Sequence, residues 1–344
     1  MPQNSADAWR LAAANGAGLA LGALLDALLG DPRRGHPVAG FGRLAARLER
    51  VVYQPTRRAG LAYAALAVGV PVAVGAAVSL ATRRRPVART VAVALTTWTV
   101  LGGTSLRGEA TAIGAALESG DLPTARALLP RLCGRDPSTL DGGELARATV
   151  ESLAENTSDA VVAPLCWGAV AGLPGLLAYR AINTLDAMVG HRSLRYERFG
   201  TAAARLDDLA NLAPSRLSAA LTVLFADRVG GSRRHALAGW LRYGLRHPSP
   251  NAGQCEAAMA GALDVRLGGR NVYGERVEER PQLGDGPRPV PADVRRAAHL
   301  SGLVGLAAVA LTAGHAAARP ARRALLRRAA ALLSARRDRR EASS

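Results

Sequence analysis

A set of apolar runs constrains this chain more than any other feature, because several approach the roughly 20 apolar residues needed to cross a bilayer. Leu11 to Leu29 is the first, with Asp26 near its end, and Ala59 to Thr82 is a second that carries no charge. Thr90 to Leu106 is shorter, Ala160 to Tyr179 is broken by Pro164, Pro174 and glycines, and Ala297 to Ala318 is the fifth. The pattern predicts an all-α, polytopic membrane protein with about four to five hydrophobic segments and amphipathic helices in its polar loops. Residues 1–344 read as one integral-membrane domain, with 319–344 as a basic C-terminal tail. Gly18 with Gly22 and Gly168 with Gly172 have the spacing that lets helices approach closely in lipid. We read both pairs as simple tolerance of small residues.

Charge decides which partners to consider. The formal net charge is +17 over 344 residues, and the 44 basic residues are all arginine. A basic chain raises nucleic-acid binding, but only 4% of residues are aromatic and no zinc-finger, RNP or basic-zipper pattern occurs. Nucleic acid is therefore set aside in favour of a membrane surface. Cys133, Cys166 and Cys255 are far apart without a CxxC pair, so neither a disulfide framework nor a zinc site is expected. Asp7 and Arg10 precede the first apolar run, which reads as a retained helix and not as a cleaved signal.

Two polar regions, Arg107 to Asp159 and Arg180 to Arg296, are too patterned to be linkers. Gly120 to Arg126 looks like a helix cap, Asp141 to Ala154 like an amphipathic helix, and Glu275 to Pro291 like an exposed loop. Arg319 to Arg340 holds nine arginines, suited to anionic lipid on the cytoplasmic face.

Several polar groupings carry possible chemistry. On a continuous helix Glu151, Glu155 and Asp159 stack along one face. Either this is a solvated acidic face with Arg147 pairing Glu151, or it is a site for Mg²⁺, which favours carboxylate and water oxygens. Arg180, Asn183 and Asp186 follow the broken apolar run at helical spacing, where an arginine otherwise snorkels to the interface. Asp207 and Asp208 are adjacent, and Asn211 shares a face with Asp207; the plain alternative is a polar helix end before Pro214. Asp31 and His36 lie between prolines, and His36 is a base, a ligand or a structural residue. Asn251 and Gln254 sit on a proline-stiffened loop that reads as a helix cap or a ligand-binding turn. Asn156-Thr157-Ser158 matches a glycosylation acceptor by accident.

Together these blocks resemble a known family. GDP with HPV at Gly30 to Val38, ENTSDAVVAPL at Glu155 to Leu165, YRAINTLDAMVG at Tyr179 to Gly190 and RFGTAAARLDDLANLAPSRL at Arg198 to Leu217 are similar to the CobD/CbiB cobalamin-biosynthesis proteins. SPNAGQCEAAMAGALDVRLGGRNVYGE, Ser249 to Glu275, extends the resemblance over most of the chain. Gln254-Cys255 and Glu275 depart from the expected pattern in that last block.

The resemblance implies an adenosylcobinamide-phosphate synthase of the bacterial inner membrane, multi-pass, with its active face cytoplasmic. Such an enzyme is an amide-forming ligase that joins a propionate of adenosylcobyric acid to aminopropanol or its phosphate. Other late cobalamin-assembly enzymes are candidate partners. A carboxylate must be activated before an amine attacks it, most simply as an acyl phosphate using ATP. Phosphate then calls for Mg²⁺ and arginines. Glu155, Asp159, Asp207 and Asp208 are the metal candidates. Asp31, His36 and Asp186 are candidates for the base, and Glu155, Asp159 and Asp207 complete the catalytic set. Arg180 and Arg216 suit phosphate or carboxylate, as does Arg205. Asn156, Asn183, Asn211, Asn251 and Gln254 are assigned to corrinoid amides or the amine. Without lysine, a P-loop of the GxxxxGK[ST] type is excluded.

A transporter with a polar site at a broken helix is the alternative. If all five segments crossed, Asp31 and Glu155 would face away from Asp186, Asp207 and Asn251. A single site therefore requires Ala160 to Tyr179 to be re-entrant or buried in protein, which is tolerated where protein or a cavity surrounds the backbone.

Overall fold

The structure, a computed structural model, describes the backbone of residues 2–32, 35–191, 193–273 and 276–341. Side chains are described from residue 7 to 318 within those stretches, apart from 272–276.

Helices α1 (Pro2–Leu29), α3 (Arg57–Ala81), α4 (Pro86–Val100) and α13 (Pro291–Glu341) form the bundle, and α2 (Pro37–Val52) joins the first two. Asp7–Leu29, Arg57–Ala81, Thr201–Val229 and Pro291–Ala318 are long and apolar enough to cross a membrane. Gly18 and Gly22 form the seam between α1 and α4. A Cβ on Gly18 would lie 2.6 Å from Val93, and one on Gly22 would lie 2.4 Å from Thr97. Our reading of this pair as mere tolerance is corrected: the backbones need those hydrogens in order to meet. The second pair works differently. Gly168 packs against Leu19 and Leu176, whereas Gly172, at φ +66°, makes a turn.

That turn splits the broken apolar run into α8 (Ala163–Ala171) and α9 (Leu173–Leu185). At 1.5 Å per residue they measure about 14 and 20 Å, a helical hairpin and not a span. The hairpin tip sits beside Gly75 and Arg89, and its mouth opens at the other end, beside the start of α3. Thr90 to Leu106 is not one segment either, since the chain breaks at Leu101-Gly102 and α5 (Gly103–Glu118) begins. Gly102 has no side chain to cap α5, and Asp26 of α1 supplies the cap instead, accepting from Thr104 N at 3.2 Å and Thr104 Oγ1 at 3.1 Å. A carboxylate near the end of an apolar helix is thereby explained.

The polar regions fold over the hairpin mouth. They comprise α6 (Leu122–Leu128), α7 (Gly142–Thr157), α10 (Thr201–Phe225), α11 (Arg233–Tyr243) and α12 (Ala252–Leu263). Asp121 caps α6, and Asp141 with Glu144 forms a capping box on α7. Residues expected as a loop, Glu275 to Pro291, contribute a strand: β1 (Leu267–Tyr273) pairs antiparallel with β2 (Arg276–Leu283). Glu275 itself lies outside the described residues.

Helix α10 was not among the apolar segments read from sequence, yet its composition would suit a span. Its packing argues for another role. Phe199, just before it, meets Gly60 at the start of α3, while Val229, just after it, accepts from Arg296 near the start of α13. Gly16 of α1 packs against Ala313 and Ala317 of α13, while Asp26, later in α1, and Gly305, earlier in α13, both lie at the Gly103–Val161 contact, so α1 and α13 run antiparallel and the beginning of α13 shares an end with the mouth. Helix α10 therefore lies across the mouth as a crossbar. Pro214 does not end it. The missing N–H frees the Ala210 carbonyl, and Trp167 of α8 fills the gap by donating from Nε1 at 2.9 Å. Pro164 is treated likewise, with the Ala160 carbonyl accepting from Gly102 N at 3.2 Å.

Candidate active site

Two π-helical turns, Ser158–Val162 after α7 and Asp186–Gly190 after α9, frame the hairpin mouth. Such wide turns interrupt the helical ladder and recur at functional sites. Here they fall within the ENTSDAVVAPL and YRAINTLDAMVG blocks. Asn183 bridges two elements, its Nδ2 lying 3.4 Å from Asp159 Oδ2 and 3.4 Å from Asp207 Oδ1. Asn211 donates to Asp207 Oδ2 at 3.0 Å and accepts from Tyr179 Oη at 2.9 Å. Residues on both sides of the apolar run are thus at one place, as a single site requires.

A polar cavity of about 20 Å³ opens between α7, α10 and α12, lined by Glu155, Asp159, Asp207, Asn211 and Asn251 with Ser158, Ser215, Ser249 and Cys255. That is room for one water-sized species. Among the described residues the polar partners of Asp159 and Asp207 are amides, not arginines. Burial pushes the Asp159 carboxyl well above its usual range, and the charges of Asp207, Glu155 and Asp186 add to the effect. Burial also raises Glu155, and it lifts Asp186 to about 7 with help from Asp207, Asp208 and Glu155.

The stacked acids of α7 have different fates. Glu151 is neither solvated nor at the cavity. It accepts from Arg135 at 2.5 Å, from Arg147 at 3.1 Å and from Gly268 N at 2.7 Å. Arg147 also donates to the Gly268 and Arg270 carbonyls, which ties β1 to α7. The predicted Arg147–Glu151 pair exists, but it is buried, and only Glu155 and Asp159 reach the cavity.

Other residues proposed from sequence stand apart. Asp208 points toward Arg205, 3.7 Å away, and only its carbonyl, accepting from Asn251 at 2.7 Å, touches the cavity wall. Asn156 bonds back to Ser152 of its own helix. Gln254 braces α11, donating to the Gly244 carbonyl at 2.7 Å and accepting from Trp240 at 2.8 Å. Arg216 donates to the Leu212 carbonyl at 2.8 Å and touches Asn251 Oδ1 at 3.4 Å. Asp31 and His36 lie 3.9 Å apart, and His36 Nδ1 accepts from Val38 N, capping α2. Arg180 lies between that loop and the cavity, within electrostatic reach of both Asp31 and Asp159. Asp31 Oδ1 and Arg180 Nε are buried without hydrogen-bond partners.

Sequence reasoning missed the hydroxyls of Ser158, Ser215 and Ser249. All three lie inside motifs already singled out, but nothing in their spacing separates them from ordinary helix and turn serines.

The architecture is that of a polytopic helical membrane protein with a helical hairpin that gathers carboxylates and amides at its mouth. Residues 19–301 match the CobD/Cbib protein family, and the chain belongs to it. It is 54% identical over 295 residues to the cobalamin biosynthesis protein CobD of Mycobacterium tuberculosis, covering 86% of this chain and 93% of that one. It is also similar to proteins of the same name from Rhodobacter capsulatus and Chromobacterium violaceum. The first is 46% identical over 79% of this chain and 88% of its own; the second is 42% identical over 82% and 90%. No solved structure matches the chain.

Proposed function

We propose that this protein acts in cobalamin biosynthesis as an adenosylcobinamide-phosphate synthase, joining aminopropanol or its phosphate to a propionate of adenosylcobyric acid through an amide. Family membership supports the pathway. The observation that carries the chemistry is the convergence of Glu155, Asp159 and Asp207, with Asp186 and the half-buried Arg180 in electrostatic range.

Amide formation needs a carboxylate made electrophilic and an amine made neutral. ATP would activate the carboxylate as its acyl phosphate, and the amine nitrogen then displaces phosphate. Asp186, lifted to about 7, is matched to take the ammonium proton near neutral pH. Arg180 Nε makes no hydrogen bond and is available to an anionic group, and Asp31 Oδ1, 3.9 Å from His36 Nε2, accepts none and is available to a cationic one. Asn183, Asn211 and Asn251 present amides that can orient the corrinoid side chains.

The donor set fits a magnesium ion. Among the described residues no three His, Cys, Asp or Glu side chains are close enough to chelate an ion by themselves. Mg²⁺, however, keeps several waters and needs only one or two carboxylates plus substrate phosphate. One or two of Glu155, Asp159 and Asp207 would hold it, where it would neutralise phosphate charge; Asp208 is turned away. We place the protein in the bacterial inner membrane with the site on the cytoplasmic face.

Purified protein in detergent with adenosylcobyric acid, aminopropanol phosphate, ATP and Mg²⁺ should yield the amide, read by mass spectrometry. Neither amide nor substrate-dependent phosphate release would refute the ligase.

A further inference from the structure

Helix α2 and the segment from Ser193 to Phe199 form one rigid unit. Glu49 accepts from Arg195 at 2.9 Å and from Tyr196 Oη at 2.9 Å, and Tyr53 Oη donates to the Arg195 carbonyl at 2.9 Å. The Arg195 guanidinium lies 4.3 Å from the Tyr53 ring centre. The inner side of this unit is buried: Ala45 and Phe199 pack with Tyr63 and Ala64 of α3.

Its outer side is unusual for a segment outside the core. Leu194 is 101% exposed, Val51 84% and Leu44 61%. On α2, Leu44 and Val51 are seven apart and so lie on one face. Beside them opens a cleft of about 420 Å³ lined by Thr56, Arg57, Glu197 and Arg198. Arg47 lies on the α2 face between Leu44 and Val51 and is also exposed, and α3, packed beside α2, exposes Leu61 at 62% and Leu66 at 52%. Arg50, Arg57 and Arg198 are exposed on the same unit.

Apolar tips flanked by arginines and tyrosines, beside the beginning of a membrane-spanning helix, match the depth profile of a bilayer interface. We infer that α2 and the 193–199 segment are an interfacial anchor, with Leu44, Val51 and Leu194 in the upper acyl region and Arg57 and Arg198 holding an anionic phospholipid headgroup. Glu197 in the same cleft limits the charge to one headgroup rather than a cluster. The anchor also bears on the site. Helix α2 begins at its cap His36, so seating it in the interface fixes the loop that carries Asp31. The inference does not depend on which reaction the site performs.

The test uses the full chain in nanodiscs made with lipids brominated along their acyl chains. A tryptophan is placed by Leu194→Trp and, as a control on the turn after α5, by Ser119→Trp. Emission from the Leu194→Trp protein, corrected for the native tryptophans, should be lost in brominated lipid, and the control's should be retained. The loss should be greater in brominated phosphatidylglycerol than in brominated phosphatidylcholine, and adding Arg57→Gln with Arg198→Gln should remove that difference. Quenching of Leu194→Trp no greater than the control's would overturn the anchor. So would protection from aqueous iodide without bromine quenching in particles holding two chains, which would assign the face to a second copy. Equal quenching by the two lipids would overturn the headgroup assignment.

Discussion

The carboxylates at the hairpin mouth make a thermodynamic signature that can be measured without any substrate. Asp186 is raised from 3.8 to about 7 by burial and by its acidic neighbours. Glu155 and Asp159 move in the same direction. A carboxyl with a raised folded-state value binds more protons folded than unfolded, so its contribution is full below the unfolded value near 3.8 and is lost as pH rises through about 7. One pKa unit is worth about 1.4 kcal/mol, so Asp186 alone accounts for at most about 4 kcal/mol; it is half-buried, which makes this a ceiling. In chelator, stability measured by SDS titration of the detergent-solubilised protein should fall from about pH 4 to about pH 7 and level off above it. Asp186→Asn should remove a large part of that slope. Magnesium should restore stability at pH 8, by about 2.7 kcal/mol at a concentration a hundredfold above its dissociation constant. A flat or rising profile in chelator, or an Asp186→Asn protein with the parent's slope, would show that the acids do not repel one another and would refute the reasoning.

Three further outcomes are expected. Glu151→Gln leaves Arg135 and Arg147 buried with their shared counter-charge gone, which should cost about 3–5 kcal/mol and speed proteolysis within 267–283. Trp167→Phe strands the Ala210 carbonyl freed by Pro214, a loss of about 1–3 kcal/mol; in a Pro214→Ala background, where the helix regains its own donor, the loss should be smaller. Reporter fusions after Asp159 and after Asp186 should face one side and a fusion at Arg84 the other; opposite faces for the first two would remove the hairpin.

Much of this fold was legible because apolar length and capping chemistry act locally. Asp121 and Asp141 announce their helices, and prolines within Ala160 to Tyr179 made a simple span implausible. What stayed hidden depends on partners distant in sequence. Nothing local shows that Trp167 will satisfy the carbonyl Pro214 leaves free, so α10 was not recognisable as one continuous helix. The β1–β2 strands were hidden too, because their support is Arg147 of α7, more than a hundred residues away. The site divides the same way. Glu155, Asp159, Asn183 and Asp207 were legible as polar residues at helical spacing beside apolar runs. The same signal also selected Asn156, Asp208 and Gln254, whose side chains turn to Ser152, Arg205 and α11.

The bundle also separates two expectations that seemed compatible in the sequence. Gly172 turns back near Arg89, and Asn15 accepts from Arg89 at 2.7 Å, so the hairpin tip and the first half of α1 share one end. Ala313 and Ala317 pack on Gly16 at that same end, and the helix continues from there into the arginine-rich tail. Asp159, Asn183 and Asp207 meet at the opposite end. A cytoplasmic site and a cytoplasmic tail therefore exclude each other. ATP use would place the hairpin mouth in the cytoplasm, and then Arg83 to Arg85 and the tail lie across the membrane. A charge rule counted over short segments does not favour this orientation, because the 30–56 connection at the mouth carries Arg33, Arg34, Arg43, Arg47 and Arg50 against three arginines in the α3–α4 turn and nine more from Arg319 to Arg340.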